Sequence, residues 1–405
     1  MPLTTDNSTD ASPSGKESAG GHEARPVSEF HIIVGESTPE AGGMCAHMEL
    51  LADGLNPSGA VHVWAPEKTA LRFQSPDVQI HKTLGRLWLG GFRRTGQELN
   101  RFRKPRRLLV YWVPHAYAYK SMNLAFCVWL WFRRVFSKDR IELMVQECFM
   151  PFSKTSWRQN VIAAAHRLMT FIVLASARHV WIALPDYQRR LRPYTLGRRI
   201  GFTWLPVPSN VAVIDDPQAV AQIRKRLAPR GFLMGHFGTF GRSITQMLED
   251  ILPALLAGMD SNLVLLGSGG EEFRQRLIRL CPDAKDRIHA SGYLDDAALS
   301  SYLSACDVMI QPYPDGMTAR RGSALAPLAH GRPVITNPTA CTESLWAEEG
   351  AVVLAAATGA AFLEAARRVQ REKSEAKRVS DAARGTYLRY FEPSHMVKAI
   401  QSEPS

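Results

Sequence analysis

Two adjacent arginines stand directly before a glycine and a serine at the predicted start of a helix, in the order Arg320-Arg321-Gly322-Ser323. Guanidinium groups bind phosphate through paired, directional N–H donors, and the first N–H groups of a helix have no partner within it. The segment therefore predicts an anion site. A structural role for both arginines would instead require carboxylate partners, and only Asp315 is close in sequence.

Three glycine-containing turns follow short apolar runs, and each of them precedes a predicted helix. Without a Cβ atom, the backbone N–H groups of such a turn can approach a ligand closely, although many such turns serve only to reverse the chain. In the second turn an arginine adds a positive charge to that of the helix N-terminus. The candidate residues of these turns are Gly42, Gly43, Gly238, Gly241, Arg242 and Gly267.

Two ionisable side chains follow strand-like runs in the first half of the chain. His115 comes directly after Pro114, which ends the run Leu108–Val113, and Glu147 follows the run Leu143–Val145. Either side chain could act as a base or orient a hydroxyl group. For each, a hydrogen-bonded structural role is the alternative.

Apolar strand-like runs alternate with helical patterns along most of the chain. This alternation predicts an α/β protein with two Rossmann-like, doubly wound parallel sheets facing a cleft, which bind ligands at the carboxyl ends of the strands. Two prolines in Trp204–Asn210 predict a stiff connection between the domains. The expected segments are a disordered tail at 1–28, domains at 29–208 and 209–385, and a helix or tail at 386–405 that crosses back to the first domain.

Composition is that of an ordinary globular protein, since 45% of the 405 residues are hydrophobic and 21% are charged. The six cysteines contain no C-x-x-C pair, which favours reduced thiols in the cytoplasm. Neither a secretory signal nor an apolar run long enough to span a bilayer is recognisable in the sequence.

The formal net charge of +11 is concentrated in Lys82–Arg107 and Arg189–Arg199. Such basic segments attract phosphates, nucleic acid or acidic lipid. No nucleic-acid-binding module accompanies them, so nucleic acid is not an expected partner. The Trp-rich helix predicted at Asn123–Phe136 could be a core helix or could lie at the inner face of the cell membrane, in peripheral contact with anionic lipid.

Several familiar signatures are absent from the sequence. It contains no P-loop, no dinucleotide fingerprint followed by an acidic residue, no G-x-S-x-G and no D-x-D that would hold a metal ion on a diphosphate. We therefore expect no cofactor and no metal.

Over roughly residues 29–400 the sequence resembles the family 4 retaining glycosyltransferases of GT-B fold. The resemblance rests on the following segments: Gly42-Gly43, His115, Gly267-Ser268-Gly269, Gly292-Tyr293-Leu294, Ala305–Val308, and Leu325–Ile335, which is similar to the family's donor-site helix ending in G-x-P-V. It implies an N-terminal acceptor domain and a C-terminal domain that holds the nucleotide sugar.

The resemblance also implies roles for individual residues. It places Gly43 near the donor diphosphate and His115 near the transferred sugar. Gly238 and Arg242 would face the diphosphate, and Leu294 would meet the base through its backbone. The implied activity is metal-independent transfer, with retention, of a hexose-type sugar from a nucleotide-diphosphate sugar to a glycan or lipid-linked acceptor.

The sequence departs from this family at the E-x7-E motif that normally binds sugar hydroxyls and ribose. Thr318 and Ala326 stand at the two positions, and the usual Arg and Lys pair of the donor domain is reduced to Arg242. We infer that Arg320 and Arg321 have taken over phosphate neutralisation. The alternative is a catalytically inactive GT-B protein that binds a glycan or a partner protein.

Overall fold

The structure is a computed structural model, and it describes residues 28–36, 43–117, 122–229 and 231–402. Apart from Ser28, the predicted N-terminal tail lies outside the described residues, and so does Gly42.

Seven parallel strands form the sheet of the first half. They are β1 (Ser28–Ile33), β2 (Gly59–Pro66), β3 (Gln79–Gly85), β4 (Arg107–Trp112), β5 (Arg140–Val145), β6 (Ala177–Ile182) and β7 (Gly201–Trp204). Their order in the sheet is β3-β2-β1-β4-β5-β6-β7. The central strands are apolar on both faces, as expected where helices cover both sides of a parallel sheet.

Helices cover this sheet on both faces and connect its strands. They are α1 (Gly43–Leu55), α2 (Leu89–Leu99), α3 (Leu124–Ser137), α4 (Trp157–Ser176) and α5 (Asp186–Leu191). Asn123 caps α3, because its side chain accepts a hydrogen bond from the backbone N–H of Phe126 at 2.9 Å.

Six parallel strands form the sheet of the second half, in the order β10-β9-β8-β11-β12-β13. They are β8 (Phe232–Phe237), β9 (Ser261–Leu266), β10 (Ile288–Gly292), β11 (Val308–Ile310), β12 (Val334–Thr336) and β13 (Val353–Leu354). The accompanying helices are α6 (Pro217–Leu227), α7 (Arg242–Gly258), α8 (Gly270–Leu280), α9 (Asp296–Ala305), α10 (Gly322–Ala329), α11 (Leu345–Glu348), α12 (Gly359–Arg371), α13 (Lys373–Thr386) and α14 (Pro393–Gln401).

The predicted fold class, two Rossmann-like parallel-sheet halves, is confirmed by these two sheets. The assignment of Trp204 to a linker is wrong, because Trp204 pairs with Ile182 as the last residue of β7. The prolines that follow it led the sequence interpretation to extend the linker one residue too far.

An aromatic cluster joins the two halves. The ring of Trp204 lies 6.1 Å from that of Tyr390, and Phe391 stacks on Trp346 at 5.4 Å. Helix α14 then packs against α1, where Val397 closes over Gly54. The end of the chain is thus anchored on the first half by apolar contacts.

None of the helices within the described ranges is long and apolar enough to cross a membrane. None of the six cysteines, all of which lie in the described ranges, forms a disulfide.

Candidate functional site

Three loops meet at the carboxyl ends of β8, β9 and β10. Gly267 has a φ of +131° and pairs with Gly292 through an isolated bridge. A Cβ atom on Gly267 would collide with the carbonyl oxygen of Gly238, and one on Gly269 would lie 3.0 Å from the Cβ of Phe240. Glycine is needed here because the backbones of Gly238 and Gly267 touch, and because Gly267 and Gly292 both have a positive φ.

Arg242 is the first residue of α7, beside these loops. Its side chain is exposed and forms no ion pair with any residue that the structure describes. Gly241 caps the helix without a side-chain hydrogen bond. The charge of Arg242 and the first N–H groups of α7 are therefore both available to an anion.

Arg321 is part of a compact arrangement in the segment between β11 and α10. It forms an ion pair with Asp315, and its guanidinium group lies 4.7 Å from the centroid of the Tyr313 ring. The hydroxyl group of Tyr313 is 2.8 Å from the Oγ atom of Ser323, and burial raises the pKa of that phenol to about 12. Desolvation lowers the pKa of Arg321. Asp315, the only carboxylate close to the two arginines in sequence, thus pairs with Arg321.

Residues that follow β12 hydrogen-bond to the backbone of this segment. Asn337 exchanges two side-chain hydrogen bonds with the backbone of Tyr313, at 2.8 and 2.9 Å. Glu343 accepts hydrogen bonds from the backbone N–H of Ala319 at 3.0 Å and from the indole of Trp346 at 2.8 Å. Burial raises the pKa of Glu343. Sequence interpretation did not select Asn337 or Glu343, since neither lies in a recognisable motif.

Arg320 reaches across the cleft to the first half of the protein. Its Nη1 atom lies 3.2 Å from Oε1 of Glu147 and donates to the backbone oxygen of Gln146 at 3.1 Å. The other carboxylate oxygen of Glu147 lies 3.4 Å from Nδ1 of His115. The side chains of His115 and Glu147 are 52% and 43% exposed, so this group faces the open cleft.

Gln146 is a site residue that sequence interpretation missed. Its backbone oxygen accepts from Arg320 and from the hydroxyl group of Tyr187, and its side chain lies 3.4 Å from Nδ1 of His47. His47 is fully buried and its pKa is lowered to about 3 by desolvation, so it is neutral. The only sequence signal was the position of Gln146 next to Glu147.

Gln311 links the loop at Gly238 to the segment that contains Arg320, Arg321 and Ser323. Its side-chain amide donates to the backbone oxygen of Phe237, which precedes Gly238, at 3.0 Å and to that of Ser323 at 2.8 Å. Its own Oε1 atom is buried and has no hydrogen-bond partner among the described residues. The same is true of Nε2 of His236 and Oγ1 of Thr336, at the carboxyl ends of the neighbouring strands β8 and β12.

The structure thus sorts the predicted residues into two groups. Gly238, Gly241, Arg242 and Gly267 lie at the carboxyl edge of the second sheet, and the side chain of Leu294 packs into the core beside them. His115, Glu147 and Arg320 form the group across the cleft, with Asp315, Arg321, Gly322 and Ser323 at its side. Gly43 begins α1 in the first half.

The two positions of the E-x7-E motif are both buried. Thr318 is 1% exposed, and its Oγ1 atom has no hydrogen-bond partner in the described part of the chain. Ala326 is fully buried within α10, where its carbonyl oxygen lies 2.7 Å from Nδ1 of His330. Within the ranges that the structure describes, no group of three or more His, Cys, Asp and Glu side chains could hold a metal ion.

No protein-family model matches the chain, and no curated protein matches it by sequence. Solved structures do match. HepE of Anabaena, crystallised with UDP, has a TM-score of 0.68 and 14% identity, over 92% of this chain and 98% of that one. Sucrose-phosphate synthase of Thermosynechococcus elongatus has a TM-score of 0.65 and 17% identity, over 92% and 97% of the two chains.

A third match is WaaG, a glycosyltransferase of lipopolysaccharide biosynthesis. Its TM-score is 0.63 at 13% identity, and the alignment covers 92% of this chain and 100% of WaaG. The fold is GT-B. In this GT-B chain, the group formed by His115, Glu147 and Arg320 lies between the two Rossmann-like halves, where the cleft of such a fold is found.

Proposed function

We propose that the protein is a glycosyltransferase that moves a hexose-type sugar from a nucleotide-diphosphate donor to a glycan or lipid-linked acceptor in the cytoplasm. The observation that carries the proposal is the contact of Arg320 with Glu147 across the cleft, beside His115. It brings a cationic group of the donor half into reach of two ionisable side chains of the other half. The GT-B neighbours, one of which was crystallised with UDP, support the same donor class.

Cleavage of a sugar–diphosphate bond leaves negative charge on the departing nucleotide diphosphate. Catalysis requires donors that already point to the place where this charge develops. We assign this role to Arg242 with the N–H groups of α7, and to Arg320 and Arg321 beside α10. Four cationic or dipolar groups would then neutralise the phosphates without a metal ion.

The ion pairs of Arg320 and Arg321 are compatible with this assignment. Arg320 is shared between a carboxylate and a backbone oxygen, and Arg321 is paired with Asp315. A diphosphate carries more charge than a carboxylate and can accept several N–H donors at once. We propose that the diphosphate of the donor replaces Glu147 as the partner of Arg320. Glu147 and His115 can then contact the sugar.

In the proposed reaction, a hydroxyl group of the acceptor attacks the anomeric carbon and the configuration is retained. The departing phosphate helps to take the proton of that hydroxyl, while Glu147 and His115 orient the sugar. Closure of the cleft would exclude water, which would otherwise hydrolyse the donor.

The test is a panel of UDP-, GDP- and ADP-sugars, measured by calorimetric binding and by release of sugar with and without EDTA. Arg320→Ala and Arg321→Ala should each weaken donor binding at least tenfold. Arg279→Ala is the matched control, because Arg279 is exposed near the far end of α8. Anomeric configuration of the product, followed by NMR, tests retention.

Binding by none of the donors would refute the proposal and favour the inactive scaffold instead. The observation behind that second function is the burial of Thr318 and Ala326 where the E-x7-E carboxylates would stand. Loss of turnover in EDTA would contradict metal independence while leaving the transferase assignment in place.

A further inference from the structure

Helix α3 exposes an apolar face. Every exposed residue of this helix is apolar, and the polar residues Arg133 and Arg134 are turned inward or only partly accessible. Phe136 is 69% exposed and stacks on Phe132, with ring centroids 5.4 Å apart. The exposed residues are Leu124, Val128, Trp131, Phe132, Val135 and Phe136.

Helix α4 packs beside α3 and continues this face. It exposes five apolar residues and one cation, Arg158. Trp157, at the start of the helix, is 72% exposed, and Arg158 lies against its ring at 5.8 Å. The exposed apolar residues of α4 are Trp157, Val161, Ala164, Leu168 and Phe171. We call the exposed residues of α3 and α4 together the α3–α4 face.

The start of α2 lies next to this face. Asn123, the cap of α3, donates its side-chain amide to the backbone oxygen of Leu87 at 2.9 Å. The next two residues, Trp88 and Leu89, are both strongly exposed. An apolar surface built from several helices is uncommon on a protein that stays free in water.

The α3–α4 face begins at the same edge of the sheet as the cleft. Both helices follow strands whose carboxyl ends carry His115 and Glu147. The loop after Glu147 is fastened to α4, because Arg167 lies 3.9 Å from the ring of Phe152 and donates to the backbone oxygen of Met150. The apolar face and the acceptor side of the cleft are therefore neighbours.

The chain around this face is strongly basic. Residues 78–200 contain 23 Lys and Arg residues and five Asp and Glu residues, while the whole chain has a net charge of +11. Asp139 and Glu142 are buried in ion pairs with arginines, and Asp186 pairs with Arg189 and Arg190. Cationic side chains thus dominate the accessible charge of this half.

This charge decides among the occupants of the face. A second copy of the chain docked on the same face would bring two strongly cationic surfaces together, which is unfavourable. An anionic bilayer attracts the lysines and arginines and accepts tryptophan and phenylalanine side chains at its headgroup level.

We propose that the α3–α4 face seats the protein on an anionic lipid bilayer, with Trp131, Phe136 and Trp157 inserted at the headgroup level. When the protein is bound in this way, its cleft lies beside the membrane surface, where a lipid-linked acceptor would lie. That last point rests on the proposed function, whereas the seating itself does not.

The experiment is sedimentation of the full chain with vesicles of phosphatidylcholine alone or with 30 mol% phosphatidylglycerol, at low and high salt. We expect binding only to the anionic vesicles, and at least tenfold weaker binding at high salt. The double variant F132E/F136E on α3, and separately W157E on α4, should each lower the binding at least tenfold. Leu280→Glu is the matched control, because Leu280 is 55% exposed on the opposite half.

Two outcomes would overturn the proposal: failure to bind anionic vesicles, and equal binding by F132E/F136E and the parent. If F132E/F136E also abolishes a dimer of the parent, the second outcome assigns the face to a second copy of the chain. Circular dichroism and thermal melting check that each variant is folded. The assay contains no nucleotide sugar, so its result is independent of whether the protein transfers sugar.

Discussion

Arg320 and Glu147 are 173 residues apart in the chain, and their side chains meet with 3.2 Å between Nη1 and Oε1. The contact links the loop before α10 to the loop that follows β5, and thus links the two halves of the GT-B fold. Because both side chains are partly exposed, the pair is weak enough to be exchanged for a stronger anionic ligand.

Glu147→Gln is expected to separate binding from turnover. The change removes the negative charge that pairs with Arg320, so donor binding should stay the same or become tighter. Turnover should fall about 100-fold, because a group that orients the reacting sugar loses its charge. Calorimetry and initial rates measured on the same preparations give both quantities.

Glu271→Gln provides the control for Glu147→Gln, since Glu271 forms a comparable exposed pair with Arg274 at 3.1 Å on α8. Equal losses of donor affinity and turnover in Glu147→Gln would contradict the proposed exchange. Such a result would mean that Glu147 binds the donor itself, instead of only pairing with Arg320.

Gly267→Ala is expected to distort the meeting point of the glycine loops. Alanine is strained at a φ of +131°, and its Cβ atom would collide with the carbonyl oxygen of Gly238. We expect a loss of about 1–3 kcal/mol in the free energy of unfolding and a loss of donor binding. Urea unfolding and calorimetry measure the two effects. In Gly322→Ala the added Cβ meets open space, so the stability of that variant should hardly change.

Asp139 is expected to be essential for stability because it joins two buried arginines. Its carboxylate accepts from Nε of Arg106 at 2.7 Å and from Nε of Arg133 at 2.6 Å. Asp139→Asn leaves two buried guanidinium groups without their anion, which should cost about 3–5 kcal/mol of unfolding free energy. Denaturant melts measure the loss. Asp381→Asn breaks an exposed pair with Lys377 and should melt like the parent.

Acid should destabilise the protein well above the pH at which most carboxylates titrate. Burial lowers the pKa of His31 and of His47 to about 3 and that of His62 and of His236 to about 4. Below pH 6.5 these histidines bind protons in the unfolded chain but stay neutral in the folded protein. The free energy of unfolding therefore has its full value above pH 6.5 and falls as the pH drops toward 4.

The size of this effect follows from proton linkage. Each such histidine adds a slope of up to about 1.4 kcal/mol per pH unit within that window. Urea melts at pH 7.0, 6.0 and 5.0 measure the slope, and His47→Gln should reduce it by one group's share. An unchanged slope in that variant would show that His47 is protonated in the folded protein.

The sequence was sufficient to predict the fold class. Strand-like and helical periods alternate over short distances, and those periods are local properties of the chain. The alternation therefore predicted both parallel sheets, and the glycines and Arg242 could be located at strand ends. The edge strand β3 lacks that apolar pattern, because only its last two residues are buried, and it was not found.

Only the tertiary structure decided which partners the charged residues have. Asp315 was recognisable as a partner for the arginines because it is only six positions from Arg321, whereas Glu147, Gln146 and Gln311 reach their partners through the packing of separate strands. The exposure of α3 was likewise decided by packing, because the same apolar sequence pattern occurs in helices of a core and in helices at a surface. Local pattern determines which elements form, and the contacts between distant elements determine which side chains meet.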